Sequence, residues 1–217
     1  MRLQDPAWLT ASLTVLLSAA GAAGQSTFAN LNFESPILPL VQTPPGSGLV
    51  PITNAMPGWT GYTYGPPPDS VVRYNQIAIG ASSIDFLGPG SGYQPFEGSY
   101  FVLLQPSSVG TNVPAIAQLG TVPTTAQSVR YYGTSAFSVS FGGHQIPLSV
   151  LGNTPSYTIY GGDVSSFAGQ TGWLQFQGVG FLDNIFFSNQ SVPEPSALGL
   201  SALGALLLAW RGLRRRR

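Results

Sequence analysis

Twenty-seven glycines and nineteen prolines punctuate this 217-residue chain, about a fifth of it. These are the two poorest helix formers, so a long helical bundle is excluded. Twelve Phe, nine Tyr and four Trp argue against disorder, because rings of that size supply large buried areas. An all-β domain rich in turns satisfies both constraints. The chain has no cysteine, which removes disulfides, thiolate metal sites and a cysteine nucleophile.

Charge is sparse and unevenly placed. Only 7% of residues are charged, against about 25% in an average soluble domain. There is no lysine. Arg2 lies at one end, and Arg211, Arg214, Arg215, Arg216 and Arg217 crowd the other. Between Gln25 and Ser191 only Arg73 and Arg130 face Glu34, Asp69, Asp85, Glu97, Asp163 and Asp183, which leaves that body at −4. An acidic body without a basic patch is unsuited to nucleic acid.

The two ends carry membrane signals. Arg2 and the free amine precede an apolar stretch from Ala7 to Ala20, followed by the small residues Ala19–Gly24. This is the three-part plan of a secretory signal peptide over residues 1–24, with cleavage after Ala22 or Gly24. From Ala197 to Trp210 no residue is charged. Extended to Ser196 and Leu213, the segment is a short single transmembrane helix with Arg211 snorkelling to the headgroups. The arginine cluster holds the tail in the cytoplasm by the positive-inside rule, which places the body across the membrane.

Immediately before this helix stand Val192, Pro193, Glu194 and Pro195. Two prolines around a glutamate cannot enter a regular helix or an inner strand, so the segment stays extended and accessible to a processing enzyme. Pro193-Glu194-Pro195, a short apolar helix and a terminal arginine cluster, in that order, closely resemble the PEP-CTERM sorting signal of exported proteins in bacteria that make exopolysaccharide. The resemblance covers residues 192–217. It implies recognition and cleavage by exosortase, a membrane transpeptidase, after transport by the secretion machinery and signal peptidase. The chain would be anchored transiently in the inner membrane and then delivered to the cell surface or extracellular matrix.

Residues 25–191 fit one β-sandwich in size. Phe137-Ser138-Val139-Ser140-Phe141 alternates with the apolar residues inward, and Gly142-Gly143 reads as a hairpin turn into His144–Val150. Ser99–Leu104 is apolar on both faces, as a central strand is. Ser83–Leu87, Ala115–Leu119, Ser128–Tyr132, Ser156–Tyr160, Trp173–Phe176 and Phe181–Phe187 complete the strand set, and no helix is expected between the terminal segments. The proline-rich stretch from Leu38 to Pro57 reads as a long loop. Asn30–Pro36, Pro57-Gly58-Trp59-Thr60, Pro95–Phe101 and Gly180–Phe187 together resemble the galactose-binding-like jelly roll of carbohydrate-binding modules. That resemblance implies a structural calcium joining the first and last strands through Glu34 and Asp183. The alternative is a hydrogen-bonded or solvated carboxylate pair without an ion.

Trp59, Tyr62 and Tyr64, grouped beside Gly65-Pro66-Pro67-Pro68, form a candidate glycan-binding cluster of rings, with core packing as the alternative. For catalysis, His144 is the only histidine and no Gly-x-Ser-x-Gly elbow is present, so no catalytic residue is assigned. The expected function is a structural or adhesive protein of the extracellular matrix, not an enzyme. A carbohydrate-binding module for exopolysaccharide is the alternative, and a secreted glycan-active enzyme ranks third.

Overall fold

The computed structural model describes residues 27–78, 80–108 and 112–193. The signal segment, the C-terminal apolar run and its arginine tail lie outside the described residues. Among the described residues no helix is long and apolar enough to cross a membrane.

The described chain is all-β. Its strands are β1 (Leu49–Pro51), β2 (Thr60–Tyr62), β3 (Val71–Tyr74), β4 (Ser83–Leu87), β5 (Phe101–Gln105), β6 (Ala115–Thr121), β7 (Ser128–Gly133), β8 (Ser138–Phe141), β9 (His144–Ile146), β10 (Leu148–Asn153), β11 (Thr158–Asp163), β12 (Thr171–Gln177) and β13 (Gly180–Ser188). An eight-stranded sheet runs β1-β3-β4-β5-β13-β7-β11-β10, and a five-stranded sheet runs β2-β6-β12-β8-β9. Among these strands only β3 and β4 pair in parallel. The chain crosses repeatedly between the sheets, a sheet-rich arrangement consistent with a jelly-roll-like fold.

Alternation builds the core. Ile84, Phe86, Val102, Leu104, Val129 and Tyr131 face inward from the large sheet, and Ile116, Val139, Phe141, Leu174 and Phe176 from the small one. The rings of Tyr131 and Phe176 meet edge-on across the interface at 5.5 Å. Tyr131 is fully buried, and its hydroxyl is satisfied by accepting the Phe137 N–H at 2.9 Å. In β13 a bulge between Asp183 and Phe186 adds one residue opposite β7. Asn184 takes the left-handed conformation there (φ 43°), one that asparagine tolerates better than most residues. The extra residue lets Leu182 and Ile185, three apart, both face the core.

The strand runs read from the sequence lie where alternation and β-rich composition put them. The β8–β9 hairpin turns on Gly142 and Gly143, both at positive φ (56° and 83°), as a two-residue turn between paired Phe141 and His144 requires. Three expectations are corrected. The run His144–Val150 is not one strand, because Pro147 cannot donate to a ladder and the chain changes sheets there, from β9 to β10. The Leu38–Pro57 stretch is not wholly loop: it contains β1 and a single helical turn, α1 (Ile52–Ala55), which buries Ile52 and Ala55. Strands β2 and β3 are additional, each only three or four residues long.

The outer faces of the two sheets differ. Residues 88–100 fold back over the large sheet, where Leu87, Phe101 and Leu103 form a second small core. Phe96 packs there on Phe101, Phe181 and Tyr157 at 5.0–6.4 Å. The strands of the small sheet contain no Asp, Glu, Lys or Arg at all.

Candidate functional site

Glu34 and Asp183 come together around one loop. Glu34 follows a tight turn closed by the Phe33 N–H donating to the Asn30 carbonyl at 3.2 Å. Its Oε1 accepts the N–H groups of Ser99 and Tyr100, both at 2.8 Å. The carboxylate lies directly on Gly98, where any Cβ would collide with it. Asp183, fully buried on β13, accepts the Phe96 and Glu97 N–H groups on Oδ2 at 3.0 Å each and the Asn184 N–H on Oδ1 at 2.7 Å. Asn184 in turn donates to the Glu97 carboxylate. The opening segment and the closing strand thus both grip residues 96–100, and the grip is made of carboxylates receiving backbone amides.

That donor set does not fit the calcium that the jelly-roll resemblance implies. Ca²⁺ takes six to eight oxygen ligands. Here the groups aimed at the carboxylate oxygens are N–H donors, whose positive ends repel a cation. Among the described residues no group of three or more Asp, Glu or His side chains is placed to hold a metal. Burial pushes the Asp183 carboxyl up to about 7, and the Glu34 charge adds to this against the opposing amide bonds. The melting temperature of the full chain is therefore expected to be the same in millimolar calcium and in excess chelator. A drop on chelation would restore the ion.

The three rings of the proposed glycan cluster separate. Trp59 is 3% exposed, tilted against Phe33 at 5.6 Å and edge-on to Phe176 at 6.3 Å, and its Nε1–H donates to the Asn30 carbonyl at 3.0 Å. It is a core residue and cannot stack on a ligand, which corrects that assignment. Tyr62 and Tyr64 are different: both border a depression of about 510 Å³, within the range of small-molecule sites. Asn112, Gln175 and Gln177 also line it. Tyr64 is 62% exposed.

Gln175, Gln177 and the neighbouring Trp173 were not singled out by sequence reasoning. The signal lay in Thr171-Gly172-Trp173-Leu174-Gln175-Phe176-Gln177. Leu174 and Phe176 are buried, so strict alternation turns Trp173, Gln175 and Gln177 to the other face. Trp173 is 45% exposed beside Leu119, its partner on β6. His144 stands exposed at the start of β9 with its ring 6.1 Å from Phe167.

The body closes immediately before the proline-flanked glutamate. Ser128 Oγ donates to the Gln190 carbonyl at 2.7 Å, Arg130 Nη2 donates to the same oxygen at 3.2 Å, and the Gln127 N–H donates to the Ser188 carbonyl at 2.8 Å. Ser191, Val192 and Pro193 continue without regular structure. No curated protein and no solved structure matches the chain. Residues 191–216 match the family model described as the PEP-CTERM protein-sorting motif, so the chain carries that sorting signal directly after its folded body.

Proposed function

We propose that this chain is a non-catalytic structural or adhesive protein of the cell surface or extracellular matrix, delivered there by exosortase. The observation that carries the reading is the sorting motif, which implies export, a membrane-anchored C-terminal signal and exosortase as the processing partner. The position of the motif supports it: the last strand is tied off at Gln190, and Pro193 follows in an exposed, irregular segment. The non-catalytic reading is supported by the placement of the two carboxylates at the candidate site. Asp183 is sealed from solvent, and Glu34 Oε1 is committed to two backbone amides. A second reading, carbohydrate binding, is favoured by one observation, the charge-free outer face of the five-stranded sheet.

The test is fractionation of a host that encodes exosortase. The wild-type chain is expected at the cell surface or in the medium, without its arginine tail. The Pro193→Ala/Glu194→Ala/Pro195→Ala variant is expected to remain in the membrane fraction at full mass. Surface delivery of that variant at wild-type levels would defeat the proposal.

A further inference from the structure

We infer that the outer face of the five-stranded sheet is a binding site for a neutral polysaccharide chain, held in a trough between Tyr62 on β2 and Gln175 and Gln177 on β12. This rests on the surface-protein reading and names the partner that such a protein would hold.

The trough follows from strand register. Tyr62, Ala115 and Gln177 lie in one row across β2, β6 and β12, and Thr60, Ala117 and Gln175 in the next. Adjacent strands are about 4.8 Å apart, so Tyr62 and Gln177 stand roughly 10 Å apart with only a methyl group between them. Ala115 and Ala117 are 4% and 2% exposed although they point away from the core, because the taller side chains on either side shelter them. A small-residue floor between an aromatic wall and an amide wall is the result. Farther along β12, Trp173 continues the same face, two residues from Gln175. The span from Trp173 to Gln177 is about 13 Å at strand rise, which suits a chain of linked rings better than a single sugar.

The polar groups are available. Among the described residues neither the Gln175 amide nor the Tyr62 hydroxyl has a hydrogen-bond partner, and Gln177 uses only its Nε2, donating to the Val113 carbonyl at 3.3 Å. Sugar hydroxyls each donate and accept, and planar amides offer both functions side by side. Aromatic rings meet the apolar faces of pyranoses, so Tyr62, Tyr64 and Trp173 supply the remaining contact.

Charge selects the ligand class. No strand of this sheet carries an Asp, Glu, Lys or Arg, and the body as a whole is acidic. An anionic polysaccharide finds no cation there and meets net repulsion. A second copy of the chain is a poorer occupant: the exposed apolar side chains of this face, Trp173, Leu119, Tyr64 and Val113, are interspersed with Ser, Thr and Gln, whereas the buried centre of a stable homodimer interface is mostly apolar.

The full chain, purified in a zwitterionic detergent without a sugar headgroup, would be tested by biolayer interferometry. The sensor surfaces would carry dextran, a β-glucan, a galactomannan or alginate. Saturable binding to at least one neutral surface is expected, and none to alginate. Trp173→Ala, Tyr62→Ala and Gln175→Ala are each expected to weaken binding about tenfold, with the melting temperature unchanged, as truncation of a central contact does. Tyr93→Ala, an exposed ring in the loop over the large sheet, is expected to leave binding unchanged. Absence of binding to every neutral surface, stronger binding to alginate, or insensitivity to the three variants would overturn the site. So would a dimer in sedimentation that Trp173→Ala dissolves without any sugar binding, since the face would then belong to a second copy. Failure here leaves surface delivery standing: Trp173→Ala should still fractionate with the surface, whereas mis-sorting of the wild-type chain would strike the parent reading alone.

Discussion

Trp59→Ala is expected to cost about 3–5 kcal/mol of stability, the range for removing a large buried aromatic. A domain of this kind has about 5–15 kcal/mol in total, so the variant should be close to unfolding at physiological temperature. Three losses combine. The ring contacts with Phe33 and Phe176 disappear, a cavity opens between the sheets, and the Asn30 carbonyl loses the indole N–H that it accepts at 3.0 Å. Asn30 also begins the turn that aims Glu34 at Ser99 and Tyr100, so slackening there loosens the grip on residues 96–100. Trp173→Ala is the comparison. Its ring is 45% exposed and has no aromatic neighbour among the described residues, and its loss should change stability by less than about 0.5 kcal/mol. Chemical denaturation of both variants, followed by circular dichroism, measures the contrast. A Trp59→Ala chain as stable as Trp173→Ala would place Trp59 outside the core.

The contrast between these two tryptophans also marks how far the sequence could be read. Trp173 sits in an unbroken alternation, and its outward direction was legible from Leu174 and Phe176. Trp59 was not, because the next inward position is Gly61, which sits against Ile84 and Ile52 where a side chain would not fit. With no apolar residue at that step, Trp59 appeared to group with Tyr62 and Tyr64, its near neighbours in sequence. Most longer strands were visible for the same reason that Trp173 was: each pairs several apolar positions with a turn residue at the end. The short strands β1, β2 and β3 lack that length, and their pairing partners are distant in sequence or on an edge. Glu34 and Asp183 were linked only through the jelly-roll resemblance, not through any pattern of their own. What holds the two together was not legible, since the donors are backbone amides of residues 96–100, and a backbone N–H leaves no mark in a residue list. The sorting signal stood out completely because all of its parts are local and in order.

Stability is expected to fall as pH rises from about 4 to 8, opposite to the usual carboxylate behaviour. Burial is the cause. It pushes Asp183 from 3.8 up to about 7, and it pushes Asp85 up to about 6 against the Ser83 hydroxyl and the Arg73 charge. Asp85 is fully buried on β4, with Oδ2 accepting the Ser83 hydroxyl at 2.9 Å and Oδ1 without a partner among the described residues. A carboxyl with a raised folded-state pKa holds its proton in the native chain after the unfolded chain has released it. Between about pH 4 and pH 7 the native state therefore binds more protons, and raising the pH favours unfolding. Fully ionising Asp85 in place costs on the order of 3 kcal/mol, and Asp183 on the order of 4 kcal/mol. The melting temperature of the full chain should be highest near pH 4–5 and decline toward pH 8. Asp85→Asn keeps an oxygen for Ser83 and has no proton to lose. It should match wild type near pH 4.5, exceed it at pH 8, and flatten the part of the decline between pH 4 and 6. A wild-type melting temperature that climbs from pH 5 to pH 8 would mean that both carboxylates are better solvated or better paired than their burial indicates. An unchanged slope in Asp85→Asn would assign the whole effect to Asp183 and its five-residue clasp.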